Sequence, residues 1–114
     1  LETSGQETFS GALDTSMNAH GKVDARTGEF INYGYADFQP WLTYYVIGAD
    51  GKLKHKARID LPGPRLPHDT TITPRFTILH DFPLFHDTEL QKRINHRVAQ
   101  FHPELPSRFG VIPR

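Results

Sequence analysis

Polar and apolar positions alternate along the middle of the chain in a way that predicts β-strands. In Lys52–Leu61 (KLKHKARIDL), four apolar side chains and one histidine take every second position and charged side chains take the others, the period expected of a strand with one buried face. Two runs rich in aromatic and β-branched residues precede it, Glu29–Ala36 and Trp41–Ile47. The Asp-Gly pair at positions 50 and 51 is a strong hairpin signal. We therefore expect a three-stranded antiparallel meander.

Further strands and one helix are predicted on either side of the meander. After a Pro-Gly-Pro corner at 62–64, His68–Thr73 and Arg75–Phe82 indicate a second pair of strands. Upstream, Phe9–Leu13 and Ser16–Val23 are weaker strand candidates. A helix is predicted over Thr88–Gln100, where Thr88 and Gln91 match a capping box. Its apolar stripe consists of Leu90, Ile94, Val98 and Phe101.

Composition narrows the class of protein. The 114 residues fit one domain, and short strands with turn signals between them favour an all-β sandwich, barrel or propeller. Lys+Arg and Asp+Glu both number 13, so we expect no specific nucleic-acid binding and find no polybasic patch for a membrane. The chain has no cysteine, which excludes disulfides and thiolate ligands within it. No apolar run is long enough for a membrane span, and we expect a cytoplasmic protein.

The two ends of the chain suggest that it is part of a longer domain. It begins with Leu1 rather than methionine, and it ends in an apolar run, Phe109–Arg114, that resembles the start of a strand. We therefore expect residues 1–114 to be a fragment of a single domain. Some residues of any active site would then lie outside it.

Histidine is the residue type in this chain that most clearly suggests a functional site, because imidazole is the commonest metal ligand. Three of the seven histidines precede an aspartate, but neighbours in a strand point to opposite faces, so one pair cannot easily serve one ion. His20 and His68 differ in context, since each follows a run that positions the backbone and each begins a segment with strand character. Their separation in sequence is far too great for a zinc-finger-type site. The remaining five are interpreted as ordinary strand, helix or loop residues: His55, His80, His86, His96 and His102.

Five stretches, in order, resemble the carotenoid cleavage oxygenase family. They are AHGKVDARTGEFINYGY, LTYYVIGADGKL, IDLPGPRLPHDTTIT, HDFPL and RFGVIPR. This family includes apocarotenoid oxygenases, the retinal pigment epithelium isomerase and lignostilbene dioxygenases. The resemblance implies an all-β fold, about two blades of a seven-bladed β-propeller with one short surface helix. It also implies one Fe(2+) ion held by four histidines, of which His20 and His68 match two and the others would lie beyond Arg114. No catalytic residue other than these metal ligands is implied within the chain.

The function implied by this resemblance is oxidative cleavage of a carbon–carbon double bond. The partners would be O2 and an apolar, conjugated small molecule, either a carotenoid or apocarotenoid or, as the alternative, a stilbenoid. The polar segment 87–106 favours a soluble phenolic substrate, and it is compatible only with weak contact between the protein and a membrane surface. A non-catalytic β-propeller binding module is the competing interpretation, and two further histidines beyond Arg114 would distinguish the enzyme from it. The fragment alone is expected to be inactive.

Two positions depart from the family pattern without removing a ligand. Gly21 stands where many members have proline, which is expected to loosen the backbone after His20. Thr70 and Thr71 replace a frequent Phe-Ala pair after His68, so the wall of the site is expected to be smaller or more polar. Both departures bear on the identity of the substrate.

Overall fold

The structure of the protein is a computed structural model that describes residues 1–114. It is built from short antiparallel strands in three sheets, with a single short helix. No helix is long and apolar enough to cross a membrane. The elements in chain order are Lys22–Val23 (β1), Phe30–Tyr35 (β2), Leu42–Ile47 (β3), Leu53–Ile59 (β4), Thr70–Ile72 (β5), Phe76–Asp81 (β6), Leu84–His86 (β7), Thr88–Ile94 (α1), Ala99–Phe101 (β8) and Arg108–Pro113 (β9).

The largest sheet has the order β1-β2-β3-β4, with each strand antiparallel to the next. Its three longer strands confirm the meander that alternation and the Asp-Gly turn predicted. Alternate residues of β2 and β3 place Ile31, Tyr33, Leu42 and Tyr44 on one buried face. These side chains form a core with Leu79 of β6, so the face of the first sheet packs on the second.

The second sheet has the order β5-β6-β9. The predicted strands His68–Thr73 and Arg75–Phe82 are confirmed as the shorter β5 and β6, and the apolar run at the end of the chain is strand β9. Across the two sheets, the hydroxyls of Tyr44 and Thr77 lie 2.9 Å apart in a buried hydrogen bond. The two sheets are therefore joined by both apolar packing and a satisfied polar contact.

The opposite face of the first sheet is covered by the segment that precedes β1. The Tyr45 hydroxyl accepts hydrogen bonds from the backbone N–H groups of Asp14 and Thr15, at 2.9 and 3.2 Å. Gly34 allows this close approach, because a Cβ there would lie 2.4 Å from the carbonyl oxygen of Ser16. The N-terminal segment thus packs on the sheet mainly as a loop.

The strand predicted at Phe9–Leu13 is wrong, and the one predicted at Ser16–Val23 is confirmed only at Lys22–Val23. Phe9 and Ser10 both have left-handed backbone angles, with φ of 51° and 56°. This conformation forms a turn and cannot continue a strand. These two residues therefore form part of a turn where a strand was predicted.

The helix prediction was right about where a helix forms and wrong about its length. Helix α1 begins after Asp87, whose side chain accepts from the Leu90 N–H at 2.8 Å, so Asp87 is the N-cap and Thr88 is the first helical residue. It ends at Asn95, which adopts a left-handed conformation with φ 50°. The expected second half is instead a turn and loop over residues 95–98 that leads into β8, which pairs with β7.

Candidate metal centre

His20 and His68 lie next to each other where the two larger sheets meet. His20 lies in the turn before β1 and His68 in the loop before β5. Strands β1 and β5 are edge strands of their sheets and lie side by side. The two imidazole ring centroids are 4.5 Å apart with an angle of 44° between the ring planes. The structure therefore brings together the two histidines that the sequence singled out.

The backbone of His20 is held by an Asx-type turn. The side-chain oxygen of Asn18 accepts the His20 backbone N–H at 2.7 Å, a local bond that asparagine is well suited to make. The Asn18 carbonyl oxygen accepts in turn from the side-chain amide of buried Asn32 in β2, at 2.9 Å. A Cβ on Gly21 would lie 2.3 Å from the Phe30 ring, so the position after His20 is closely packed. The turn is thereby fixed against β2.

The backbone of His68 is held through the residue before it. The carbonyl oxygen of Pro67 accepts the Tyr33 hydroxyl at 3.2 Å and the Asn18 side-chain amide at 3.4 Å. Burial, together with the nearby Asp69 charge, raises the pKa of Tyr33 above its ordinary value. The phenol therefore stays protonated and keeps its proton available for donation to Pro67. Because the Pro67 carbonyl shares a peptide plane with the His68 nitrogen, these bonds orient the start of His68.

A rigid corner leads into that loop. Arg65 is buried and donates from Nε to the Asp81 carboxylate of β6 at 2.7 Å, and from a terminal nitrogen to the Pro64 carbonyl oxygen at 2.8 Å. Arg108 of β9 donates to the other oxygen of Asp81, at 2.9 and 2.6 Å. The corner before His68 is therefore tied to the middle strand of the second sheet by a buried ion pair.

A surface ion pair joins strand β1, which follows His20, to the loop that contains His68. Lys22 and Asp69 form a bond of 2.6 Å, with their side chains 33% and 51% exposed. The hydrogen bond from Lys22, followed by that from the Thr70 N–H, lowers the pKa of Asp69. An exposed pair of this kind contributes only about 0.2–1 kcal/mol. The buried contacts below it therefore account for most of the positioning.

The other histidines do not join this pair. His80 is the nearest by its contacts, since its Nε2 accepts the Asp69 N–H at 3.4 Å; burial and, less strongly, nearby His68 lower its pKa. No group of three or more His, Cys, Asp or Glu side chains is arranged to hold a metal. The remaining four histidines lie elsewhere. His55 is exposed in β4 and His96 is exposed after the helix, whereas His86 lies beside Asp37 and His102 stacks on Phe85.

The pair of rings fits a shared metal ion in distance and in chemistry. With ring nitrogens about 2.0–2.1 Å from an ion, two imidazole centroids can lie no more than roughly 6.5 Å apart. The observed 4.5 Å is within that limit. Imidazole is also a suitable ligand for iron, zinc, copper and nickel. Two ligands are too few for a tight site, so the assignment of His20 and His68 as metal ligands stays a prediction.

The residues that orient the pair were missed by the sequence interpretation. Asn18, Asn32 and Tyr33 were treated only as parts of strand-like runs. One local signal was available, because an asparagine two residues before His20 is the spacing of an Asx turn. The contact of Asn18 with Pro67 is long-range and has no local signal.

Comparisons with known proteins agree with the resemblance. Residues 1–114 match the family described as retinal pigment epithelial membrane protein. A carotenoid 9,10(9',10')-cleavage dioxygenase of Crocus sativus is 34% identical over 114 residues, which is all of this chain and 21% of that protein. Lignostilbene-alpha,beta-dioxygenase isozyme III of Sphingomonas paucimobilis is 33% identical over 119 residues, again all of this chain and 24% of that protein.

Solved structures give the same result for the fold. The crystal structure of Pseudomonas brassicacearum lignostilbene dioxygenase superposes with a TM-score of 0.84 and 34% identity, covering 100% of this chain and 24% of that one. The chain thus spans about a fifth to a quarter of the length of the relatives that it matches.

Proposed function

The chain belongs to the retinal pigment epithelial membrane protein family, and from this premise we propose that the whole protein is a non-haem iron(II) dioxygenase. It would cleave a carbon–carbon double bond of a carotenoid or apocarotenoid and release carbonyl products. The sheets β1–β4 and β5-β6-β9 would be parts of two neighbouring blades of a seven-bladed β-propeller. The observation that carries the proposal is the adjacency of His20 and His68, with ring centroids 4.5 Å apart.

The role of this chain would be to supply two neutral imidazole ligands and to hold them still. Iron(II), when bound, would supply the chemistry of oxygen activation. Neutral ligands leave the charge of the ion uncompensated, and four of them leave coordination positions open. Asn18 and Pro67 fix the backbone at the two histidines, so the ligands do not have to be ordered when the ion binds. The remaining ligands would come from outside residues 1–114.

Two substrate classes remain in competition. The Crocus sativus relative is named for carotenoid cleavage, whereas the Pseudomonas brassicacearum structure is a lignostilbene dioxygenase. Helix α1 buries no residue and carries Lys92 and Arg93 in its last turn, a polar surface that favours a soluble phenolic substrate over a membrane-dissolved one. Incubating the whole protein separately with an apocarotenoid and with a stilbenoid, and identifying the carbonyl products, separates these alternatives.

The metal assignment is tested by replacing the histidines one at a time. In the whole protein, His20→Ala and His68→Ala should each abolish bound iron and double-bond cleavage. The free energy of unfolding without added metal should change by less than about 1 kcal/mol, because neither His20 nor His68 belongs to the hydrophobic core of residues 1–114. His96→Ala is the matched control, since His96 is exposed and distant from the pair in sequence.

Two results would contradict the proposal. If His20→Ala or His68→Ala retains as much iron as His96→Ala, the two rings do not hold the ion. If the wild-type protein binds no iron and cleaves neither substrate class, the alternative of a non-catalytic propeller module is favoured instead.

A further inference from the structure

We propose that Asn18 is a positioning residue that sets the spacing between His20 and His68 by bonding to both of their loops. The inference rests on the proposed function, because spacing matters only if the two rings share an ion. One side-chain amide makes both contacts. Its oxygen accepts the His20 N–H at 2.7 Å, and its nitrogen donates to the Pro67 carbonyl at 3.4 Å.

The two partners need a side chain that offers both an acceptor and a donor. The His20 backbone N–H is a donor and needs an acceptor, whereas the Pro67 carbonyl is an acceptor and needs a donor. Asparagine presents one of each, about as far apart as the two loops require. Aspartate has nearly the same shape but offers only acceptors when ionised. Replacing Asn18 with aspartate would therefore keep the bond within the His20 turn and lose the bond between the loops.

Asn18 can act as a bridge because its own backbone is held from both sides. Its N–H donates to the Tyr33 carbonyl at 2.8 Å and to the Asn32 side-chain oxygen at 3.1 Å. Its carbonyl accepts from the Asn32 amide at 2.9 Å. Asn32 is 2% exposed and Tyr33 is fully buried, so this platform belongs to the interior of the first sheet. A displacement of the Pro67 loop relative to Asn18 is thus a displacement of one ring relative to the other.

The size of the expected effect follows from how metal sites respond to loss of supporting contacts. Substitutions of groups that orient ligands typically cost about 10–100-fold in metal affinity. Asn18→Asp should fall in this range, because it removes one long hydrogen bond and places a negative charge against the Pro67 carbonyl. Asn18→Ala, which also releases the His20 turn, should cost at least as much.

The test compares metal retention with fold stability in the whole protein. Asn18→Asp and Asn18→Ala are loaded with Fe(II) alone or Co(II) alone, and the rate at which a chelator removes the metal is measured. The absorption spectrum of the cobalt form and the urea midpoint of unfolding are measured on the same variants. Tyr45→Phe is the matched control: it removes a fully buried hydroxyl from the same sheet, but its partners are Asp14 and Thr15 rather than the histidine loops. We expect metal loss to be about 10–100-fold faster in the Asn18 variants with a changed cobalt spectrum. Tyr45→Phe should lower the urea midpoint and leave both metal readouts unchanged.

Any of four outcomes would overturn the inference. If wild-type protein binds metal, His20→Ala loses it and Asn18→Asp releases it at the wild-type rate, Asn18 has no positioning role while the proposed function stands. If Tyr45→Phe accelerates metal loss as much as Asn18→Asp, the effect is general destabilisation. If the wild-type protein holds no metal, both proposals fail. Should the Asn18 variants not fold, Tyr33→Phe removes the other donor to Pro67 and should also accelerate metal loss. Metal loss at the wild-type rate in Tyr33→Phe would then overturn the inference.

Discussion

Replacing Asp81 with asparagine would remove the carboxylate that ties the corner before His68 to the second sheet. Asp81 accepts from Nε of Arg65 at 2.7 Å and from two nitrogens of Arg108 at 2.9 and 2.6 Å. The side chains of Asp81 and Arg65 are only 11% and 8% exposed, whereas that of Arg108 is 53% exposed. After the substitution, a buried guanidinium would face a neutral amide.

The expected cost is dominated by the buried partner. Removing one member of a buried ion pair costs about 3–5 kcal/mol, because the other charge is left uncompensated away from water. The bond with Arg108 contributes only about 0.2–1 kcal/mol, since that side chain can be hydrated instead. Arg65→Met should cost less, about 1–3 kcal/mol, because Asp81 then keeps Arg108 as its partner. Asp81→Asn is therefore expected to be the more destabilising of the two.

The assay is urea unfolding of the whole protein, combined with hydrogen exchange over residues 62–68. Asp81→Asn should lower the free energy of unfolding by about 3–5 kcal/mol and increase exchange in that segment. The matched control is Glu89→Gln, which makes the same acid-to-amide change in an exposed pair with Lys92 and should cost no more than about 0.5 kcal/mol. A cost for Asp81→Asn equal to that of the control would refute the argument from burial.

Two other predictions concern packing and pH. Gly34→Ala should destabilise the protein by about 1–3 kcal/mol, since a Cβ at position 34 would lie 2.4 Å from a backbone oxygen. Gly110→Ala is the control and should be close to neutral in the same urea assay, because its Cβ would lie 3.8 Å from the nearest atom. Equal losses of stability in the two variants would contradict the close packing at Gly34. The side chains of Arg58 and then Lys56 lower the pKa of Asp14 to about 2 from 3.8, so its contribution to stability is present above about pH 4 and lost as the pH falls through 2. Unfolding midpoints of Asp14→Asn and wild type should therefore differ at pH 6 and converge near pH 2, and a constant difference would count against this ion pair.

The parts of the fold that could be predicted are those in which local pattern and tertiary packing agree. Strands β2, β3 and β4 are joined by short connections, and the Asp-Gly turn between β3 and β4 is encoded locally. The alternation of charged and uncharged residues in β4 also gave its orientation correctly, although His55, which is in phase with the apolar residues, is exposed. Antiparallel neighbours in sequence are neighbours in space, so little long-range information was needed.

The error in the length of the helix occurred where a long-range partner decided the conformation. The stripe Leu90, Ile94, Val98 and Phe101 is compatible with a helix, but Ala99–Phe101 pairs with β7, a strand of three residues that has no clear pattern of its own. Ile94 is 50% exposed, so continuing the helix would have gained little burial there. A left-handed Asn95 then ends the helix. Pairing outweighed periodicity in this segment.

The candidate site likewise has features that the sequence could predict and features that depend on long-range packing. Sequence context singled out His20 and His68, and the family resemblance implied their role as metal ligands. Neither their context nor their spacing in sequence could have placed their rings 4.5 Å apart. Their proximity depends on two edge strands from different sheets, β1 and β5, lying side by side. The bridging role of Asn18 depends on the same packing and could not be predicted without it.

The contacts around the two histidines become more buried with distance from the rings, and this gradient separates metal binding from stability. His68 is exposed and His20 half-buried, so neither imidazole adds much to the core. One step away, the Pro67 carbonyl is held by fully buried Tyr33, and at the corner Arg65 is almost completely buried against Asp81. Substitutions at the rings should therefore affect the ion far more than the fold, and substitutions at the corner should do the reverse. Asn18 lies between these two layers, which is why its variants are the ones whose metal retention and stability must be measured together.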